Sequence, residues 1–109
     1  MIVHEERAES AAKLRELVVA CHGRIGLAEA IERLRAAGDL AVSMVVSERG
    51  RLLGHAALSR LRAPAGALAL APVSVDPERR GEGIASRLIR AALVQAQRRR
   101  ARHLQVLVG

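Results

Sequence analysis

The segment 73–89 constrains the fold most, because it joins a predicted strand to a predicted helix through a short basic turn. Apolar and polar residues alternate in the strand, and the helix carries an apolar stripe that begins at Ala85. Gly81 and Gly83 lie in the turn, where the lack of a Cβ permits a positive φ and a close approach of ligand to backbone. The unpaired N–H groups and the positive dipole end of the helix point at the same place. The turn therefore predicts a site for an anion such as phosphate.

A longer pattern makes this turn more specific than a glycine before a helix, which most often only reverses the chain. The residues from Arg80 to Ala85 read Arg-x-x-Gly-x-Ala. Val73, Val75 and Pro77 precede them as Val-x-Val-x-Pro. This pattern resembles the acyl-CoA signature of the GNAT superfamily of N-acyltransferases.

The resemblance extends to nearly the whole chain, since the segments 38–40, 54–59 and 70–73 are similar to those of a bacterial branch of small GNAT proteins. Proteins of this kind place a tyrosine beyond the last strand, where it protonates the CoA thiolate, and continue with a strand pair that completes the acceptor pocket. The present sequence has no tyrosine and ends at Gly109. The resemblance therefore implies that the usual C-terminal part is lacking, as in a fragment, or is supplied by a partner chain.

The resemblance implies acetyl-CoA as the acyl donor and seven residues as its binding site. We expect Pro72, which cannot donate a ladder hydrogen bond, to separate its strand from the last strand and so open a cleft. The amide-rich pantetheine arm would pair there like an extra strand, and the pyrophosphate would lie on the turn. An amide near Val73 would also stabilise the oxyanion of acyl transfer. The predicted cofactor-binding residues are Val73, Val75, Arg80, Gly81, Gly83, Ala85 and Ser86.

No catalytic residue is assigned, because each candidate has a plainer structural interpretation. His55 is a candidate general base, but a histidine within an alternating strand is usually a packed or surface residue. His22 and His103 are weaker candidates. Ser74 and Asp76 share a strand face, where either would orient a water or an amine, although an Asp just before a proline is typical of a turn or cap.

The composition favours one small domain with an aliphatic core. None of the 109 residues is Phe, Tyr or Trp, so Leu, Ile, Val and Ala must fill the interior. The single cysteine, Cys21, excludes an internal disulfide and a cysteine-rich zinc site. It closes an apolar helix stripe, which favours a buried structural thiol over a nucleophile. Since no signal peptide or membrane-length apolar segment occurs, we predict a cytoplasmic protein without a membrane partner.

The formal net charge of +7 would favour polyanions, including the phosphates of CoA. Apart from Lys13 the basic residues are arginines, a bias that a GC-rich genome also produces, so the charge is weak evidence for nucleic acid. Arg79 and Arg87 are further candidates for phosphate contact, with a solvated helix start as the alternative. The cluster at 98–100 with Arg102 is read as a solvated helix end, because no aromatic side chain is present to stack on bases.

Periodicity predicts the element order β-α-α-β-β-β-α-β and a mixed, mainly antiparallel sheet packed by helices, an α/β (α+β) fold of the GNAT type. The predicted strands are 1–5, Leu40–Val46, Leu52–Leu61, Ala67–Val75 and Leu104–Val108. The predicted helices are Glu9–Cys21, a second through Leu27, Ile31 and Leu34, and a third from Gly83 to about Arg100 or Ala101. Gly23 and Gly26 separate the first two helices, and Gly38 caps the second. The last two strands are joined through a helix and should pair in parallel.

We therefore predict that residues 1–109 form a single domain with N-acetyltransferase activity. It would transfer an acetyl (acyl) group from acetyl-CoA to a primary amine of a small molecule or a protein. A CoA-binding module without turnover is the first alternative, and a basic nucleic-acid-binding protein is the second. The acceptor and the acyl-chain length stay open. The apolar edge expected at the last strand also predicts self-association as a homo-oligomer.

Overall fold

The predicted element order is present in the computed structural model, which describes residues 1–61 and 67–99 and, for the backbone alone, 103–106. The strands are β1 (Ile2–Glu5), β2 (Leu40–Glu48), β3 (Arg51–Arg60), β4 (Ala67–Val75) and β5 (His103–Val106). The helices are α1 (Ala11–His22), α2 (Ile25–Ala36) and α3 (Ile84–Arg98). Short 3-10 turns at Ala8–Ser10 and Pro77–Arg79 lead into α1 and toward α3. The predicted fold class is confirmed.

The five strands form one sheet in the order β1-β2-β3-β4-β5. The pairs β1–β2, β2–β3 and β3–β4 are antiparallel. Short connections join β2, β3 and β4 in turn, whereas α1 and α2 lie between β1 and β2. β4 and β5 are parallel, which confirms the pairing predicted from the helix between them. Their pairing covers Ala67–Leu70 of β4, so the described part of β5 lies beside the first half of that strand.

Two irregularities shape the middle of the sheet. On β3, Val46 pairs with Gly54 and Ser47 with Leu52, so Leu53 is an extra residue at a bulge. On β4, residues 71–72 lie opposite a single residue of β3. Proline at this position suits a bulge because it has no N–H to donate.

The sheet has an α3 face and an α1/α2 face, and each has its own apolar cluster. The buried residues of the α3 face are Val42, Met44, Val46, Leu53, Ala56, Leu58, Leu68, Leu70, Ile84, Leu88, Ala92 and Ala96. Those of the α1/α2 face are Leu14, Leu17, Val18, Ala28, Ile31, Val45 and Leu52. The core is aliphatic, and its many alanines allow α3 to lie close to the strands.

Gly54 lets the first turns of α3 approach the sheet more closely than any other residue would. A Cβ on Gly54 would lie 2.7 Å from Cγ2 of Ile84 and 2.8 Å from Cδ1 of Leu88. Real carbon atoms do not pack this tightly, so the glycine sets the height of the helix above the strand. The height of α3 in turn sets the position of the turn that precedes it.

Some predicted boundaries are wrong. β2 ends two residues later than expected, and β3 begins and ends one residue earlier. The turn between them contains just Arg49 and Gly50, with φ of 52° and 78°. Two consecutive positive φ angles are typical of a tight hairpin turn. Gly23, with φ of 66°, ends α1 as predicted, but Gly26 does not separate the helices, since it lies inside the first turn of α2. Gly38 has a positive φ, as expected of a cap. The predicted ends at 100–101 and 107–108 lie outside the described residues.

Candidate functional site

A cleft of about 400 Å³ lies along the edge of β4, between the start of α3 and the end of α1. We call it the β4–α3 cleft. Its lining residues are Cys21, His22, Val73, Val75, Arg79, Arg80, Gly81, Gly83, Ile84, Ala85 and Ser86. The seven residues predicted to hold the cofactor are all among them. The structure thus brings the predicted residues to one place, while their role in binding stays a prediction.

A larger hollow of about 600 Å³ lies between α1 and the β2–β3 turn, but none of the seven residues lines it. Side chains of the protein itself bind across its rim. Lys13 Nζ donates to the carbonyl of Gly50 over 2.7 Å, and Arg51 Nη2 lies 2.6 Å from Asp76 Oδ2. Because none of the seven residues lines this hollow and several of its charged side chains already bind within the protein, we take the smaller cleft as the candidate site.

The turn before α3 is held at its start by Asp76. The Asp76 carboxylate accepts a hydrogen bond of 2.9 Å from the N–H of Glu78, which confirms its interpretation as a cap. This N–H, together with the charge of Arg51, holds the pKa of Asp76 below its ordinary value. The turn is therefore fixed to the end of β4 by a charged group that stays ionised at neutral pH.

Gly81 and Gly83 have φ of 85° and 78°, the left-handed region that the sequence predicts for them. A Cβ at either position would meet nothing within 4 Å, so glycine is favoured here by the positive φ and not by a lack of space. Gly83 is the N-cap of α3, and no side chain caps this helix. The first N–H groups of α3 therefore lack the intrahelical and side-chain partners that a capped helix would give them.

The two adjacent arginines of the turn differ in their partners. Arg79 forms a bidentate pair with Glu82, at 2.7 and 2.9 Å, and also donates to Glu48 over 2.8 Å. These carboxylates, Glu82 first, raise the pKa of Arg79, and Arg79 in turn lowers the pKa of both. Arg80 is exposed and its Nη2 lies 3.7 Å from the Sγ of Cys21. Among the described residues no carboxylate pairs with Arg80, so its guanidinium can receive an anion.

The outer edge of β4 presents backbone groups to the cleft. The N–H of Asp76 donates to the carbonyl of Leu53 over 2.8 Å, so it points toward β3. Because successive peptide groups alternate along a strand, the N–H groups of Val73 and Val75 point to the opposite edge. In the described part of the chain that edge has a strand partner at Ala67–Leu70 but none at these two valines.

The end of α1 contributes two side chains to the cleft that sequence reasoning did not place there. His22 Nε2 lies 2.9 Å from the Oγ of Ser74, which is fully buried beneath the cleft. Cys21 is half-buried rather than buried, so its interpretation as a core thiol is wrong. The contact joins residues 52 positions apart, and no local pattern signals it.

His55 is a packed residue and lines none of the hollows described above. Its Nε2 lies 2.8 Å from the Oγ of Ser43, and burial lowers the pKa of His55 to about 3, with a smaller contribution from Arg35.

The basic cluster at the end of α3 forms at least one ion pair within the fold, because Arg99 donates to Glu5 over 2.7 Å. The side chains of residues 100, 102 and 103 lie outside the described part of the chain.

Two further kinds of site are absent from the described residues. No helix there is long and apolar enough to cross a membrane. No group of three His, Cys, Asp or Glu side chains in the same ranges is placed to hold a metal ion.

Comparison with known proteins matches residues 11–109 to the acetyltransferase (GNAT) family. A GNAT family acetyltransferase from Brucella melitensis, solved in complex with acetyl-CoA, is 36% identical with a TM-score of 0.91, over 99% of this chain and 75% of that one. YhbS, a GNAT family N-acetyltransferase from Escherichia coli solved with CoA, is 21% identical with a TM-score of 0.87, over 97% of this chain and 61% of that one.

More distant structures share the fold alone. An aminoglycoside 6'-N-acetyltransferase from Acinetobacter haemolyticus is 18% identical with a TM-score of 0.77, over 100% of this chain and 80% of that one. A search of curated proteins finds no match.

Proposed function

The chain belongs to the acetyltransferase (GNAT) family, and from this premise we propose that it binds acetyl-CoA in the β4–α3 cleft and transfers the acetyl group to a primary amine. The observation that carries the proposal is the convergence of seven predicted residues, from three consecutive segments, on that one cleft. The amine would belong to a small molecule or to a protein.

The turn before α3 supports a site for the pyrophosphate. The left-handed Gly81 and Gly83 expose backbone N–H groups at an uncapped helix start, where the dipole favours negative charge. Arg80 adds a guanidinium that no described carboxylate holds, and the Ser86 hydroxyl lies in the same lining. Arg79 is a poorer ligand, because binding a phosphate there would compete with Glu82 and Glu48.

The outer edge of β4 supports a site for the pantetheine arm. The backbone groups of Val73 and Val75 point away from β3, so the amides of the arm could pair with them as an added strand does. The bulge at residues 71–72 bends β4 just before this edge. When bound, acetyl-CoA supplies a thioester carbonyl open to attack by an amine. A strand N–H near Val73 would then stabilise the negative charge that develops on its oxygen.

Binding is tested by calorimetric titration with acetyl-CoA and with desulfo-CoA, comparing wild type with Gly83→Asp and Gly83→Asn. Both side chains meet the same strain at a positive φ, and they differ in charge. We expect the aspartate variant to bind far more weakly than the asparagine variant, because its carboxylate repels the pyrophosphate. Gly38→Asp is the matched control, since Gly38 has the same φ of 78° and lies outside the cleft.

Equal affinity of the two Gly83 variants would discredit the assigned site.

Transfer itself is tested by release of free thiol from acetyl-CoA with a panel of primary amines: benzylamine, spermidine, kanamycin and a peptide that begins with alanine. Thiol release that depends on one of these amines supports an acetyltransferase. Binding without any release would favour a CoA-binding module.

A further inference from the structure

A row of polar side chains crosses the α1/α2 face of the sheet and ends at the cleft. We call it the polar row; its members are Glu6, Ser43, His55, Ser74 and His22. At one end, Ser43 Oγ lies 2.6 Å from Glu6 Oε1 and 2.8 Å from His55 Nε2. At the other end, Ser74 Oγ lies 2.9 Å from His22 Nε2. The two halves meet where His55 and Ser74 stand directly opposite each other on β3 and β4.

The charge on Glu6 fixes the direction of the hydrogen bonds in the first half of the row. Arg35 pairs with this carboxylate, with Nη2 2.6 Å from Oε2, so the carboxylate accepts and cannot donate. Ser43 must therefore give its hydroxyl hydrogen to Glu6 and accept a hydrogen bond from His55 Nε2. His55 is then protonated on Nε2, and its Nδ1 carries a lone pair.

That lone pair lies where a hydrogen bond would join the two halves of the row. His55 Nδ1 is buried and has no hydrogen-bond partner among the described residues, an unusual state for a buried polar atom. Side chains directly opposite on antiparallel strands have Cβ atoms about 5 Å apart, so Ser74 is the hydroxyl residue beside His55, although its Oγ does not meet hydrogen-bond geometry with Nδ1 in this structure. If Ser74 donates to His55, its own oxygen accepts from His22 Nε2. The Nδ1 of His22 is then the unprotonated nitrogen.

We propose that His22 is the general base of this protein, and that Ser74 and His55 are positioning residues that hold its Nδ1 ready to accept a proton. The inference rests on the proposed function. The nitrogen of a neutral primary amine would form a bond to the thioester carbonyl carbon, and the C–S bond would break with its electron pair leaving on sulfur. The proton lost by nitrogen would pass to His22 Nδ1 and from there to water.

Charged and titratable residues lie near His22 on the elements around it. Cys21, Arg79 and Arg80 line the cleft with His22, and His55 lies opposite Ser74, the residue that His22 contacts. Arg79 is paired with Glu82 and Glu48.

The tautomers can be observed directly, without knowing the acceptor. Long-range proton–nitrogen NMR spectra of protein labelled at histidine distinguish the two ring nitrogens, and His22→Gln and His55→Gln assign the signals. Above the imidazole titration range we expect both rings to be protonated on Nε2. In Ser74→Ala we expect a mixture of tautomers at His22, which Ser74→Thr reverses. A wild-type His22 protonated on Nδ1 would overturn the inference.

Kinetics test the catalytic role with the panel amine that wild type acetylates fastest. Loss of a general base typically costs about 10²–10⁴-fold, so we expect a fall of that order in kcat for His22→Gln, with little change in the KM for acetyl-CoA. The acidic limb of the wild-type pH profile should disappear in this variant. Ser74→Ala should lose less than His22→Gln, since it misdirects the base without removing it.

The outcomes separate the two proposals. A His22→Gln variant with wild-type kcat and pH profile overturns the general base and leaves the proposed function standing. Wild-type protein that does not bind acetyl-CoA overturns the proposed function, whatever the tautomers are. Binding without turnover of any panel amine overturns both transfer and the catalytic role of His22. Thermal unfolding of each variant shows whether it is folded.

Discussion

The two faces of the sheet differ in what they contribute. On the α3 face, α3 packs on the strands through aliphatic side chains and approaches them closely at Gly54. The turn that lines the cleft therefore has a fixed position. On the α1/α2 face, aliphatic side chains surround the polar row, which leads from Glu6 to His22 at the same cleft. One face therefore sets geometry and the other carries titratable groups. Changes to the first should alter stability and ligand affinity together, and changes to the second should alter the response to pH.

The sharpest test of this difference removes one large side chain from each face. Leu88→Ala on α3 should destabilise the protein by about 2–5 kcal/mol, because it leaves a cavity under the helix. Leu14→Ala on α1 is the matched variant, since Leu14 is 3% exposed and Leu88 is 0% exposed. Chemical denaturation should give losses of similar size, whereas the affinity for acetyl-CoA should fall more in Leu88→Ala. Equal loss of affinity in both would break the comparison.

Acid should act through the α1/α2 face. The pKa of His55 is lowered from 6.5 to about 3 by burial in the folded protein, so the unfolded chain binds a proton that the folded chain does not. Above about pH 6.5 the ring is neutral in both states, so the group costs no stability. As the pH drops from there toward the folded-state pKa of about 3, the free energy of unfolding falls by about 1.4 kcal/mol for each pH unit. Asp76, Glu48 and Glu82 have lowered pKa values, so their contributions are lost only below pH 4.5.

Chemical denaturation at several pH values between about 4.5 and 6.5 measures how the free energy of unfolding changes with pH, and His55→Leu should remove most of this change. Since that variant also loses the bond to Ser43, an NMR titration of the His55 ring in wild type provides a second measurement. A ring that becomes protonated near pH 6.5 in the folded protein would contradict the prediction.

Gly54→Ala tests the close contact on the α3 face. The added Cβ would overlap with Ile84 and Leu88, so α3 must move outward, at a cost of about 1–3 kcal/mol. Gly26→Ala is the opposite control, because Gly26 lies inside α2 with nothing within 4 Å of its Cβ position. That change should stabilise by about 0.5–1 kcal/mol. A melting temperature of Gly54→Ala equal to or above that of wild type would show that Gly54 is not a contact residue.

Glu48→Gln should have the smallest effect. Arg79 keeps its bidentate pair with Glu82, and exposed ion pairs contribute little to folding. We expect a slight fall in melting temperature in dilute buffer that disappears in high salt. A large fall that persists in salt would mean that the turn depends on Glu48 for its position.

The turn and the α3 face could be predicted because their signals are local. The apolar stripe of α3 and the glycines at 81 and 83 lie within one short segment, and the capping role of Asp76 follows from the proline after it. The contact role of Gly54 had a signal that was not used, since a glycine inside a strand often marks a close approach.

The polar row could not be predicted in the same way. Its members come from β2, β3, β4, α1 and the segment after β1, and the faces they share depend on strand register. The bulge at Leu53 shifts the alternation on β3, so the sequence alone does not say which side chains meet. The place of His22 beside Ser74 depends on how α1 packs on the sheet, which only the tertiary structure provides.

Glu48 joins distant parts of the chain, since it lies 2.8 Å from Arg79 and 3.9 Å from the N-terminal ammonium group. A phosphate that drew Arg79 away would leave Glu48 and Glu82 without the cation that lowers their pKa values. Both carboxylates would then take up protons in mildly acidic solution. The heat released on ligand binding would therefore vary with the ionisation enthalpy of the buffer, and the uptake of protons would rise with the number of ion pairs that the ligand had displaced.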